Sequence, residues 1–200
     1  MDDLDCRFAR RGFLALGASG LALLIGGTRA HALSAAEQYV AGIGADVIRL
    51  ANSGAAKATM RKRFSSLVNR YANVRSVGLL ALGSYQQRLP PSRREEFFRL
   101  VTDYIAAFFV SYIDDFRGTS LDIKSSFEEG GSTIVESKIV LKGESDTDVL
   151  WRITSGRVSD VKVRGIWLSL QLKKRFTDIL RQTGGDFDPL FAELKSAESW

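Results

Sequence analysis

The hydrophobic period of this chain changes once, and the change dictates its fold class. Up to about Asp114 apolar residues recur at intervals of three and four; after Gly118 they recur at every second position. The first spacing lines one side of a helix and the second lines one face of a strand. Val40, Ile43, Val47, Ile48 and Leu50 mark a helix over 34–52, with Ser34 and Glu37 at the spacing of a capping box. A second, basic helix over 57–71 carries Met60, Phe64, Leu67, Val68 and Tyr71, and a third over 73–87 carries Val77, Leu80, Ala81 and Tyr85. Leu89-Pro90-Pro91-Ser92 interrupts the chain, and Ser92 with Glu95 repeats the capping-box spacing. The helix that follows, to about Asp114, is apolar around nearly its whole circumference after Arg99, the mark of burial on more than one side. Glu95, Glu96, Arg99 and Asp103 in its first half argue against a membrane span.

Beyond Gly118, Leu121 and Ile123, then Val135, Ser137, Ile139 and Leu141, then Val149, Trp151 and Ile153, then Val161 and Val163 alternate with mostly polar residues. Glu129-Gly130-Gly131 and Ser155-Gly156-Arg157 supply turns, and 143–148 is a polar loop. This is a four-stranded antiparallel meander with one apolar face. A helix over 171–182, stopped by Gly184-Gly185, and a short one opened by Asp188-Pro189 complete the chain. The class is α+β: a helical N-terminal half packed on a curved four-stranded antiparallel sheet. The long aromatic helix is expected to cover the apolar face.

The first 32 residues read as an export signal. Arg10-Arg11 precedes Phe13-Leu14, an apolar run over 13–27 follows, and Ala30-His31-Ala32 is a small-x-small cleavage site. The paired arginines indicate the twin-arginine route. The run is 15 residues long and diluted by four glycines, short of the ~20 apolar residues of a span. Cleavage after Ala32 leaves one domain over 33–200 in the periplasm.

That cleavage also removes Cys6 and His31, the only cysteine and histidine of the chain. A Ser-His-Asp triad is then impossible, and thiol chemistry and structural zinc are excluded. There is no phosphate-binding loop and no dinucleotide fingerprint, so neither cofactor nor metal is expected. The net charge of +5 is mild and spread out. It suits an anionic membrane surface better than nucleic acid.

An ordered set of residues carries a family resemblance over roughly 36–194. It comprises Phe97-Phe98-Arg99-Leu100 with Phe108-Phe109 and Tyr112, then Trp151-Arg152-Ile153 and Val158-Ser159-Asp160-Val161, then Gly165-Ile166-Trp167-Leu168, Arg175-Phe176, Leu190 and Leu194. Asp160-Val161 followed by Gly165 and Phe176 is its most specific part. In these the chain resembles the MlaC, toluene-tolerance or ABC-transporter auxiliary family of periplasmic lipid-binding proteins. Trp167 stands where that family commonly has a small Ser, and a hopanoid-associated branch shares the overall pattern. The resemblance implies a monomeric carrier holding phospholipid or hopanoid tails in an apolar cavity between sheet and helices. Its partners would be an outer-membrane lipoprotein complex and an inner-membrane ABC transporter complex. The implied lining is Val101, Tyr104, Ile105, Phe108 and Tyr112 with Leu121, Ile123, Ile139, Leu141, Trp151, Ile153, Val161 and Val163.

Two other readings compete. A small cone-fold enzyme could hold a hydrophobic substrate against a buried carboxyl of raised pKa, yet none of the inward strand positions is acidic. Apolar stripes at these spacings also suit an interaction protein with a solid core.

Overall fold

The computed structural model describes residues 32–117, 119–140 and 146–197. Arg10, Arg11 and Ala30 of the export signal, and Leu141, lie outside the described residues. Leu33–Trp200 forms one compact unit. Its helices are α1 (Ala35–Ala51), α2 (Lys57–Tyr71), α3 (Val74–Leu82), α4 (Arg94–Ser111), α5 (Leu168–Gln182) and α6 (Asp188–Ser196). Its strands are β1 (Ser120–Glu129), β2 (Ser132–Val140), β3 (Thr147–Thr154), β4 (Arg157–Val163) and β5 (Ile166–Trp167). They form one sheet in sequence order, antiparallel throughout.

The α1 cap forms as expected. Ser34 Oγ accepts from the Glu37 amide, and the Glu37 carboxylate accepts from the Ser34 amide at 2.7 Å. The matching box at Ser92 and Glu95 does not form. Pro91–Arg93 is a 3-10 turn, so Ser92 lies inside it rather than in the extended conformation a cap needs, and Arg93 precedes α4 without a side-chain cap. The third helix ends at Leu82, earlier than its apolar pattern, because Gly83 takes φ +55° and the chain continues as a 3-10 segment to Arg88.

Three hairpins use two-residue turns with both φ positive: Gly130-Gly131, Ser155-Gly156 and Arg164-Gly165. These are the dihedrals of type I′, whose twist matches that of the flanking strands. The third turn creates a strand that the sequence pattern does not indicate. Ile166 pairs with Val163 and Trp167 with Lys162, so the sheet has five strands, and α5 begins at Leu168.

The long helix α4 does not cover the sheet. It is the central post of the helical layer. Phe97, Phe98, Leu100, Val101 and Tyr104 pack with α3, α5 and α6. Val110 and Phe109 pack with Leu50, Ala51, Met60 and Phe64 of α1 and α2. That dual role accounts for its all-round hydrophobicity. Aromatic edges meet in this core: Phe97 lies 6.2 Å from Phe176 and Tyr104 6.1 Å from Phe176, both T-shaped. The sheet is covered instead by α1, whose Val40 and Ile43 sit with Val135, Ile153 and Val158. Close approach depends on Gly44, because a Cβ there would stand 2.5 Å from Leu121 Cδ2.

Candidate functional site

The register of the sheet assigns its faces. Leu121 pairs with Ile139; Ile123 with Ser137, which pairs with Val149 and through it with Val163; Val135 with Trp151, which pairs with Val161. Ile153 pairs with Thr133 and Val158. Cross-strand partners share a face. Leu121, Ile123, Ile139, Trp151, Ile153, Val161 and Val163 therefore lie together on the inner face, toward α1. Leu121, Ile123, Trp151, Ile153 and Val161 pack in the cluster beneath α1. Among the described residues, Ile139 and Val163 join none of the three buried clusters. Toward the end of the sheet where β1 begins and β4 ends cover becomes uneven: Val163 is 37 % exposed, while its partner Val149 is buried.

One pair of polar side chains breaks the apolar centre of this face. Trp151 Nε1 donates to Ser137 Oγ at 2.9 Å, and Ser137 donates to the Val149 carbonyl at 3.2 Å. The buried indole N–H is therefore satisfied within the wall. Alternation had marked Ser137 as inward, but its polarity gave no reason to single it out.

The α4 residues divide along their own stripe. Val101, Ile105, Phe108 and Tyr112 follow one another at helical spacing, yet Val101 is 0 %, Phe108 45 % and Tyr112 52 % exposed, with Ile105 intermediate. The Phe108 and Tyr112 rings lie 5.1 Å apart. Tyr104, on the neighbouring stripe, is buried in the helical core, and burial raises its phenol pKa. Val101 and Tyr104 are therefore core residues, whereas Phe108 and Tyr112 form an exposed aromatic pair. Ser120, where β1 starts, follows Tyr112 by eight residues.

Polar side chains tie the two layers together. Tyr39 Oη donates to the Tyr71 carbonyl at 3.0 Å, and Tyr71 Oη donates to Asp46 at 2.7 Å. That hydrogen bond, helped by Arg49, holds the Asp46 carboxyl below its ordinary pKa. Arg157, in the β3–β4 hairpin, donates to the Asn69 and Ala72 carbonyls at the end of α2. Asp160 Oδ1 accepts from the Ser169 amide at 3.0 Å, and Oδ2 accepts from the Ser169 hydroxyl. A strand residue thereby caps α5, which has no side-chain cap of its own. This explains the Asp160, Gly165, Phe176 pattern: a cap, a turn at φ +81° and a fully buried core ring.

No metal cluster of three or more His, Cys, Asp or Glu occurs among the described residues. The described carboxyls with displaced pKa values, Asp46, Glu96 and Asp178, are all lowered, in each case first by a hydrogen bond. Two open depressions of about 590 and 580 Å³ lie on the helical layer, one beside Leu80 and Lys173 and one along α2 at Lys62 and Arg63. Neither is lined by a sheet residue.

Residues 45–196 match the MlaC protein family. The chain belongs to the MlaC family. The fold agrees with the crystal structure of a phospholipid-binding protein from Ralstonia solanacearum, solved in complex with a phospholipid. The TM-score is 0.70 at 17 % identity, over 83 % of this chain and 98 % of that one. No curated protein sequence matches. Among the described residues, no helix of this MlaC-family chain is long and apolar enough to cross a membrane.

Proposed function

We propose that this MlaC-family protein is a carrier that shields lipid tails between the inner face of the sheet and the open end of the α4 stripe. The observation that carries the reading is the run from buried Val101 to exposed Phe108 and Tyr112, together with Val163, which is 37 % exposed at the end of the inner face where β4 stops. Exposed contiguous apolar surface signals a partner or ligand. Each buried methylene is worth about 0.8 kcal/mol, so a two-chain lipid needs such a shield to cross water. The guest is proposed to be phospholipid, the ligand of the Ralstonia protein of like fold, with a hopanoid as the alternative. Leu121, Ile123, Ile139, Trp151, Ile153, Val161 and Val163 supply one wall, and Ile105, Phe108 and Tyr112 the other. Val101 closes its deep end, and Tyr104, set against Phe176 in the helical core, stands outside it.

The carrier works as a monomer in the periplasm after removal of residues 1–32. It passes lipid between an outer-membrane lipoprotein complex and an inner-membrane ABC transporter complex. It is not an enzyme in this reading: the acid that the register places on the inner face, Glu128, is exposed at the far end of β1 and accepts from the Thr133 hydroxyl at 2.6 Å, and the displaced carboxyl pKa values run downward.

The test is native mass spectrometry of protein gently purified from a bacterial periplasm, followed by solvent extraction. A mass increment that extracts as phospholipid or hopanoid is the expected result. Bare polypeptide mass, with no lipid taken up from liposomes, would overturn the proposal.

A further inference from the structure

Of the three two-residue hairpins, β4–β5 departs furthest from the residues its turn favours. All three turns place their first residue at positive φ, where Gly, Asn and Asp are favoured for a type I′ turn. The β1–β2 turn uses the favoured Gly130 and the β3–β4 turn the small Ser155 at φ +51°; this one uses the long Arg164, at φ +49°. A long non-glycine side chain held in the left-handed region is strained, and such strain marks sites of function.

The surroundings of Arg164 specify the function. Val163 and the 51 % exposed Ile166 pair across the turn on the inner face of the sheet. Lys162 and Trp167 pair on the outer face, with the ammonium 5.8 Å from the indole ring. Leu170, in the first turn of α5, is 56 % exposed. The tip therefore combines aliphatic side chains, an indole and cations in the arrangement that suits a membrane–water interface.

Charge points the same way. Between Asp160 and Asp178 the sequence has no acidic residue and five basic ones. Two of those, Lys174 and Arg175, are paired with Asp178 and Glu193. Lys162, Arg164 and Lys173 have no ion pair among the described residues. The hairpin also lies at the end of the sheet where β1 begins, because β4 ends where β1 starts in this antiparallel order.

We infer that the β4–β5 hairpin is a membrane-docking tip that seats the open end of the fold on anionic phospholipid headgroups. Val163 and Ile166 enter the interface, Trp167 lies at headgroup depth, and Arg164 and Lys162 meet phosphate. The inference rests on the carrier reading for its purpose, but its test does not depend on it.

The chain from Leu33 onward, one compact unit, is floated with vesicles of phosphatidylethanolamine and phosphatidylglycerol, or of phosphatidylcholine alone. Wild type should float with the anionic vesicles only and be released by salt. Arg164→Asn removes the cation and restores a favoured turn residue. It should raise the melting temperature while lowering vesicle binding about fivefold, the loss for one cation near an anionic surface. Arg164→Glu with Ile166→Ser should abolish flotation. Lys62→Asn, which removes one cation from the solvent face of α2, should change it less than about twofold.

The inference is overturned if wild type does not float, in which case the tip serves a protein partner. It is equally overturned if Arg164→Asn floats like wild type or if Lys62→Asn is as damaging. Lipid extracted from the same preparations separates the two proposals: variants that keep their lipid but lose the vesicles support the docking tip. If no preparation contains lipid, the carrier reading fails while the flotation result still decides the tip.

Discussion

The helical layer and the inner face of the sheet are both apolar, yet they are finished differently. The helical core is sealed by large rings in edge contact, with Phe97, Phe176 and Phe191 almost fully buried. The sheet face is built largely from β-branched residues, is covered by α1 with only Tyr71 and Ala72 from the end of α2, and ends in side chains that water reaches. The difference separates apolar residues that hold a fold from apolar residues that leave room for something else. Composition does not make that distinction; the number of neighbouring elements does.

The strongest test of this contrast sets two phenylalanines of one helix against each other. Phe97→Ala should cost about 3–5 kcal/mol, the range for a buried ring truncated in a packed core. Phe108→Ser should change stability by no more than about 0.5 kcal/mol, as for a surface position, while reducing the lipid recovered on extraction. Urea unfolding at constant slope measures the first, and extraction of the folded variant measures the second. Equal losses of stability would dissolve the distinction.

A smaller effect is expected where the one covering helix meets the sheet. Gly44→Ala must push Leu121 aside, since the new methyl would stand 2.5 Å from its Cδ2. Overpacking costs about 1–3 kcal/mol, and replacing a helical glycine returns about 1 kcal/mol. A net loss of about 1 kcal/mol in urea is expected, with lipid uptake altered more than for a helical-core change of equal cost. A gain in stability would mean that α1 floats on the sheet rather than resting on Leu121.

The smallest effect concerns the seam between the layers. Asp46 has a folded pKa depressed by the Tyr71 hydroxyl. Its contribution is present above the unfolded carboxyl value and is lost as pH falls through the lower, folded one. Wild type should therefore lose stability more steeply than Asp46→Asn as pH drops below the ordinary aspartate value of 3.8. Parallel acid-unfolding curves would remove Asp46 from the seam.

Much of this was legible in the sequence because the signals were local. The Ser34–Glu37 box, the bounds of α2 and the strand alternation each lie within a few residues of chain. The alternation placed seven described inner-face residues correctly on one side, since a period of two leaves no other arrangement. The role of α4 was not legible, because a helix apolar on all sides does not say which neighbour takes which side. Nor was β5, whose two residues are too short to show a period. The Asp160–Ser169 cap and the Arg157 contacts to the end of α2 join residues that only the folded chain brings together. In the candidate site, spacing could group Val101 and Tyr104 with Phe108 and Tyr112, but only packing could tell core from surface.

The hydrogen bond between Trp151 and Ser137 has one more consequence. At the centre of the inner face the two polar groups are spent on each other, so a guest carried there as proposed would find contact but no directional recognition. Such a surface distinguishes chains by length and girth, at about 0.8 kcal/mol per methylene, and is nearly blind to isosteres of similar shape. On the carrier reading, selectivity among lipids whose tails match in length and girth would then come from their polar ends, at the mouth.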